Sequence, residues 1–255
     1  IKISYKQGNK GVFIESNIHA REWVTSASAT WIANELLTSN NSMIRDIAEN
    51  VDWYILPVAN PDGFVFTHTN NRMWRKTRMP SSAFCWGADP NRNFGHLWMT
   101  GGSSNNPCSD TYAGSGPFSE PETKALANFY LTIEKDIIAY VDFHSFSQLL
   151  MYPYGTNAGG RIDNEQEHIE IGKAMQKKLA ERFGTKYQFG NIVTTIYVAS
   201  GGSIDWIKGV PNTPFVFVYE MRDTGRYGFI LPAKEIIPNA QETMDSLVEM
   251  VKQLR

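Results

Sequence analysis

The chain has 255 residues, 42% hydrophobic, 13% aromatic and 20% charged, enough for one good-sized globular domain with an ample core. A formal net charge of −2 leaves no polyanion footprint, so nucleic acid is not an expected partner. No apolar run approaches the roughly 20 residues that span a bilayer, and Ile1-Lys2-Ile3-Ser4 reads as a strand, not a leader, so a processed or trimmed form is expected.

In chain order, Val12 to Ile18 (VFIESNI) reads as a strand, and Arg21 to Leu37 carries Trp23, Ala27, Trp31, Ile32 and Leu36 at helical spacing. Val51 to Val58 reads as a second strand, stopped by the turn signal Asn60-Pro61-Asp62-Gly63. From Arg78 to Pro117 the chain is rich in Gly, Ser, Asn and Pro without periodicity; loops this long are usually functional or stapled. A serine cap at Ser119 and proline at Pro121 open a helix running to Ile133. A strand over Asp136–Phe143 follows, then a helix over Asp163–Phe183 and a turn-rich segment from Tyr197 to Gly202. Pro214 to Tyr219 (PFVFVY) reads as a fully buried strand and Ile237 to Leu254 as a closing helix. This alternation predicts an α/β fold: a mixed, mostly parallel twisted sheet with helices on both faces. No repeat or linker interrupts it, so residues 1–255 are expected to form a single domain.

Two cysteines, Cys85 and Cys108, flank a Gly/Ser/Asn/Pro-rich stretch. They read either as a disulfide formed in an oxidising compartment, stabilising by about 3 kcal/mol, or as two buried thiols. Asn40-Asn41-Ser42 is a glycosylation acceptor triplet, a pattern common by chance.

His19-Ala20-Arg21-Glu22 and a distant His144 supply two imidazoles and a carboxylate, the ligand set of a catalytic zinc with a fourth position open. His19 and Glu22 stand three apart, so one helical turn can aim both at a point. Alone, H-x-x-E is a weak signal. Its surroundings strengthen it, because His19, Asn60, His144 and Glu220 each follow or close a predicted strand. In open α/β sheets chemistry gathers beyond those carboxyl ends.

The motifs His19-Ala20-Arg21-Glu22-Trp23, Asn60-Pro61-Asp62-Gly63-Phe64, Trp74-Arg75-Lys76-Thr77-Arg78, Asn91-Arg92-Asn93-Phe94, His144-Ser145, Ser147-Gln148-Leu149-Leu150, Tyr154-Gly155, Tyr197, Ala199 to Trp206 and Glu220-Met221-Arg222-Asp223 resemble, in order, the zinc carboxypeptidases of the pancreatic A/B type. The resemblance covers nearly the whole chain. It implies a secreted, zymogen-derived exopeptidase acting on free peptide C-termini, with a pro-segment or a proteinaceous inhibitor as possible partners and a monomeric state. Relative to that family the first helix and leading strands are expected to be missing.

The resemblance also implies roles. One Zn²⁺ is held by His19, Glu22 and His144, and Glu220 acts as general base toward the metal's water and then as proton donor. Arg75 stabilises the oxyanion. Arg92 and Asn91 grip the substrate carboxylate, Tyr197 closes over it, and Asp89 orients a zinc histidine. Arg21 contacts longer substrates. Ile204 matches the base of the side-chain pocket, with Ile192, Met151 and Val218 as walls, so apolar C-terminal residues are expected. Phe146 stands where the family commonly has tyrosine, and Val218 where a polar wall residue is common. A binding module that lost catalysis is the rival reading, but such relatives usually lack a ligand or the base, and none is missing here. A regulatory-type relative would carry a further β domain.

Overall fold

A computed structural model describes residues 1–255. Seven strands form one sheet: β1 (Lys2–Ile3), β2 (Gly11–Ser16), β3 (Asp52–Leu56), β4 (Ile137–Ser145), β5 (Leu149–Tyr152), β6 (Gln188–Asn191) and β7 (Phe215–Met221), in the order β1-β3-β2-β4-β7-β5-β6. The pairs β2–β3, β2–β4, β4–β7 and β5–β6 are parallel, while β1–β3 and β5–β7 are antiparallel. This is the expected mixed, mostly parallel α/β sheet.

The helices are α1 (Trp23–Thr38), α2 (Ser42–Asn50), α3 (Pro61–Thr69), α4 (Pro121–Leu131), α5 (Glu165–Phe183), α6 (Ile192–Thr195), α7 (Ser203–Gly209) and α8 (Ile236–Leu254). No helix is long and apolar enough to cross a membrane. Alternation along the strands divides the core. Val12, Ile14, Trp53, Ile55, Val141 and Phe217 pack with α1, α2, α5 and α8 on one face. Phe13, Tyr54, Tyr140, Val216 and Val218 pack with α4 and α7 on the other. Because both faces are covered, every residue of β2 is buried and the strand reads as a nearly continuous apolar run.

Three local expectations are corrected. Asn60-Pro61-Asp62-Gly63 starts α3 and does not stop the chain in a turn: Asn60 Oδ1 accepts from Gly63 N at 3.0 Å, and Pro61 sits in the first turn. Caps and turns use the same residues, so the pattern alone does not separate them. A Cβ at Gly63 would lie 2.7 Å from the Lys76 carbonyl oxygen, which makes glycine necessary there. Second, α4 has Glu120, not Ser119, at its cap position, with no side-chain cap. Asn93 Oδ1, distant in sequence, instead accepts from Glu120 N and Thr123 Oγ1. Third, His19 and Glu22 do not share a helical turn. They lie in an irregular turn closed by Glu22 N–H donating to His19 O at 3.2 Å, and α1 begins only at Trp23.

Asn60 is fully buried, and its Nδ2 donates to the carbonyls of Ile18 and Lys76, each at 3.1 Å. It thereby ties the segment before His19 to the one after Arg75. Asn60→Ala is expected to cost about 2–4 kcal/mol, a lost cap plus two orphaned carbonyls, read from urea denaturation. A change under about 1 kcal/mol would contradict that accounting.

The long segment after α3 contains only a short 3₁₀ turn at Pro90–Arg92. It is held by a Cys85–Cys108 disulfide, by Lys76 Nζ donating to Pro107 O at 2.7 Å, and by Asn93 Nδ2 donating to Ala113 O at 2.7 Å.

Candidate metal centre and substrate cleft

His19 hangs on the turn after β2, Glu22 caps α1, and His144 lies near the end of β4. Their ligand atoms all lie within 4.8 Å of one another, and the three residues are buried. His144 Nδ1 is 3.0 Å from both His19 Nδ1 and Glu22 Oε2, and His19 Nδ1 is 2.9 Å from Glu22 Oε1. Two Nδ1 atoms and a carboxylate turned toward one point make a donor set for zinc, whose tetrahedral nitrogens at 2.0–2.1 Å would stand about 3.3 Å apart.

The backs of both rings are fixed. His19 Nε2 faces Asp89 Oδ1 at 3.0 Å, and His144 Nε2 faces Asp142 Oδ2 at 2.8 Å. With Nε2–H donated to a carboxylate, each Nδ1 is left free to coordinate.

Electrostatics shows what this group is built to hold. Burial alone would lower the pKa of His144 and raise that of Glu22. Asp142 and Glu22 nevertheless hold the imidazole well above its usual range, and His19 and His144 hold the Glu22 carboxyl well below its own. In the metal-free protein a proton on His144 satisfies a demand for positive charge, and a bound metal must displace it.

Glu220 is cross-strand neighbour to His144 in the β4–β7 register. Burial first, then the charge of Glu22, pushes its carboxyl up to about 8, against opposing contributions from His144 and Arg75. Arg222 does not pair with it, being committed to Glu242 and Glu235. Arg75 donates to Asp89 Oδ2 from Nε at 3.0 Å and Nη2 at 2.8 Å, and its Nη1 lies 4.0 Å from Glu22 Oε1. Asp89 therefore bridges His19 and Arg75.

A cleft opens from the two histidines and Glu220. Its walls include Met151 of β5, Ile192 of α6, Ile204 of α7 and Val218 of β7, with Arg92 and Tyr197 nearby. Arg92 is buried, with Nε donating to Gly102 O and Nη1 to Asn91 O, and it faces the Tyr197 ring at 5.9 Å. Tyr197 is half exposed. Asn91 also lines the cleft, but Oδ1 accepts from Ser203 N at 2.9 Å and Nδ2 lies 3.1 Å from His144 Nε2. Arg21 and Phe146 do not line it. They meet outside it on Phe229, with the Arg21 guanidinium 4.4 Å from that ring's centroid and Phe146 edge-on at 5.0 Å.

With the centre and cleft described, comparison with known proteins is decisive. The zinc carboxypeptidase family profile matches residues 1–246. The chain belongs to the zinc carboxypeptidase family. It is 51% identical to a zinc carboxypeptidase of Simulium vittatum, covering 100% of this chain and 84% of that one. It is 44% identical to carboxypeptidase A1 of Sus scrofa, covering 99% and 60%, and to Anopheles gambiae zinc carboxypeptidase A 1 it is 48% identical, covering 99% and 59%. The chain thus spans about three-fifths of the length of the latter two. Among solved structures it resembles carboxypeptidase A from Helicoverpa armigera (TM-score 0.87, 33% identity, 96% of this chain and 61% of that one). It also resembles bovine thrombin-activatable fibrinolysis inhibitor in complex with tick carboxypeptidase inhibitor (TM-score 0.90, 33% identity, 98% and 83%).

Some site residues of this family member were not assigned a role by sequence reasoning. Asp142 behind His144 was legible in principle, since residues two apart on a strand share a face. Ser203, which donates to Asp142 Oδ2 at 3.2 Å, and the wall residues Gly155 and Ala199 stood in the motifs that carry the resemblance but without a role, and the wall residue Ile196 stood in none. Asp205 also lines the cleft. It accepts from Gly155 N with both oxygens at 2.9 and 3.0 Å, and burial pushes it up to about 7.

These pKa shifts predict how metal-free protein responds to pH. Glu220 and Asp205 have raised carboxyl pKa values, about 8 and about 7, and so does Glu15, at about 8. They contribute stability that is present below the unfolded carboxylate range and lost as pH rises through about 7 to 8. His168, lowered to about 4 chiefly by burial, acts oppositely: its contribution is lost as pH falls from about 6.5 toward 4. Chelator-treated protein is therefore expected to melt several degrees lower at pH 8.5 than at pH 5, because three carboxyl groups outweigh one imidazole. Calorimetric scans across that range check this, and a flat profile would contradict it.

Proposed function

We propose that this carboxypeptidase removes single residues from the free C-terminus of peptides and proteins, preferring aromatic and large aliphatic residues, with one Zn²⁺ held by His19, Glu22 and His144. The observation that carries the reading is the convergence of those ligand atoms beside Glu220 at the head of a cleft walled by Met151, Ile192, Ile204 and Val218.

Zinc, when bound, polarises the scissile carbonyl and lowers the pKa of water toward about 7. Glu220 Oε takes a proton from the attacking water and returns it to the leaving amine. Its raised pKa in the metal-free site means it parts with that proton readily only when a cation sits beside it. Arg75, locked by Asp89, presents Nη1 to charge that develops on the carbonyl oxygen. Arg92 receives the substrate carboxylate from below the cleft, and Tyr197 at the rim closes over it. Asn91, whose Oδ1 is held by Ser203 N, has its Nδ2 to donate to the same carboxylate. Arg21, Phe146 and Phe229 form the outer contact for longer substrates.

The aliphatic wall sets the preference, because a lysine or arginine side chain there would lose its water without gaining a close ion pair. Matched N-blocked dipeptides ending in Phe, Leu, Arg and Glu, together with the Phe amide, test this. Phe and Leu are expected to be released and the amide spared; preference for Arg or Glu would sink the pocket assignment, and cleavage of the amide would sink exopeptidase action. Ile204→Asp is expected to shift the Phe-to-Arg ratio of kcat/KM by at least about 100-fold toward Arg, about 2.7 kcal/mol. An unchanged ratio would remove Ile204 from the pocket base.

The disulfide fits a secreted protein. A pro-segment or proteinaceous inhibitor is the partner class proposed; the bovine structural relative is in complex with tick carboxypeptidase inhibitor. A single domain acting as a monomer completes the reading.

A further inference from the structure

Behind His144 lies a buried carboxyl pair. Asp142 and Glu15 are cross-strand partners in the β2–β4 register, and both are fully buried. Asp142 Oδ2 takes His144 Nε2 at 2.8 Å and Ser203 Oγ at 3.2 Å, while Oδ1 has no partner. Glu15 Oε2 accepts from Tyr140 Oη at 2.6 Å, and Oε1 likewise has no partner. Glu15 is in no ion pair, and the one ion-pair partner of Asp142 is His144.

Two adjacent buried carboxylates sharing one imidazole as their only counter-charge would be costly. A proton on Glu15 removes one of the two charges. Burial and the neighbouring Asp142 both act in that direction on Glu15.

The His144 ring has two candidate neighbours at Nε2, Asp142 at 2.8 Å and Asn91 Nδ2 at 3.1 Å. Asn91 Oδ1 accepts from Ser203 N, so its Nδ2 is a donor facing the ring. Only Asp142 can accept from Nε2–H, which leaves the Nδ1 lone pair toward His19 and Glu22.

We propose that Asp142 is a positioning residue of the metal centre: it holds His144 with Nδ1 toward the metal. Ser203, which bonds both Asp142 and Asn91, also heads α7, so the clamp on the ligand is continuous with the helix carrying Ile204. The proposal rests on the metal-centre reading above.

Zinc affinity by competition with a chromophoric chelator, and the visible spectrum of the Co²⁺-substituted protein, test it on wild type and on Asp142→Ala and Asp142→Asn. Wild type is expected to bind one equivalent. Asp142→Ala is expected to bind about 10–100-fold more weakly with an altered Co²⁺ spectrum, and Asp142→Asn, which keeps an acceptor, to recover part of the loss. Should Asp142→Ala fail to fold, Asp142→Asn decides. Folded Asp142 variants with wild-type affinity and spectrum overturn the positioning role. Wild type that binds no zinc fails differently, by removing the metal centre on which the proposal stands.

Discussion

Glu220→Gln is expected to lower kcat/KM for a blocked dipeptide ending in Phe by about 10²–10⁴-fold, with zinc content and melting behaviour close to wild type. The amide keeps the size of the carboxyl but cannot take a proton from water or deliver one to the leaving amine. Glu220 lies beside His144 in the sheet register, lines the cleft and is pushed up to about 8 in the metal-free site, so its ionisation depends on the cation next to it. Rates of the wild-type enzyme should therefore rise with pH on the acid side as Glu220 loses its proton, and the variant should lose that limb. A Glu220→Gln enzyme retaining more than about a tenth of wild-type kcat/KM would assign the base elsewhere.

The second large effect is expected from the ligands. His19→Ala leaves Glu22 and His144 to hold the metal and takes from the Asp89 carboxylate one of its partners, leaving Arg75 and Asn91 N. With two ligands in place of three, zinc is no longer retained at stoichiometric concentration, and activity is expected to fall by at least about 10³-fold. Elemental analysis after gel filtration, alongside the dipeptide assay, reads both consequences. Stoichiometric zinc in the His19→Ala protein would remove His19 from the ligand set.

The sequence told more about the sheet than about the helices' beginnings, for physical reasons visible at particular residues. In β2, Val12 and Ile14 face one core and Phe13 the other, and the central strands β4 and β7 are likewise covered on both sides, so apolar runs announced them. Asn60 looked like the end of something because a helix cap and a turn draw on the same side-chain chemistry. The helix it starts buries only Gly63 and Thr67, leaving little periodicity to detect. The short α2, with Ile44, Ile47 and Ala48 buried, was passed over although Asn41 caps it.

The candidate ligands were legible because imidazoles and carboxylates near strand ends are few, and the family resemblance ordered them. Their support was not. Which atom meets Nε2 of His144 depends on packing between β4 and α7, residues 142 and 203, which no local pattern encodes. The cleft wall was read from resemblance at Met151, Ile192, Ile204 and Val218, whereas Gly155, Ile196 and Ala199 lie on segments whose path only the fold defines.

The most direct test of the central claim is hydrolysis of an N-blocked dipeptide ending in Phe, measured as purified, after chelation and after adding back one equivalent of zinc. Release of Phe that is abolished by chelation and restored by a single equivalent is the predicted result. Release that survives complete removal of the metal would contradict a zinc centre at His19, Glu22 and His144.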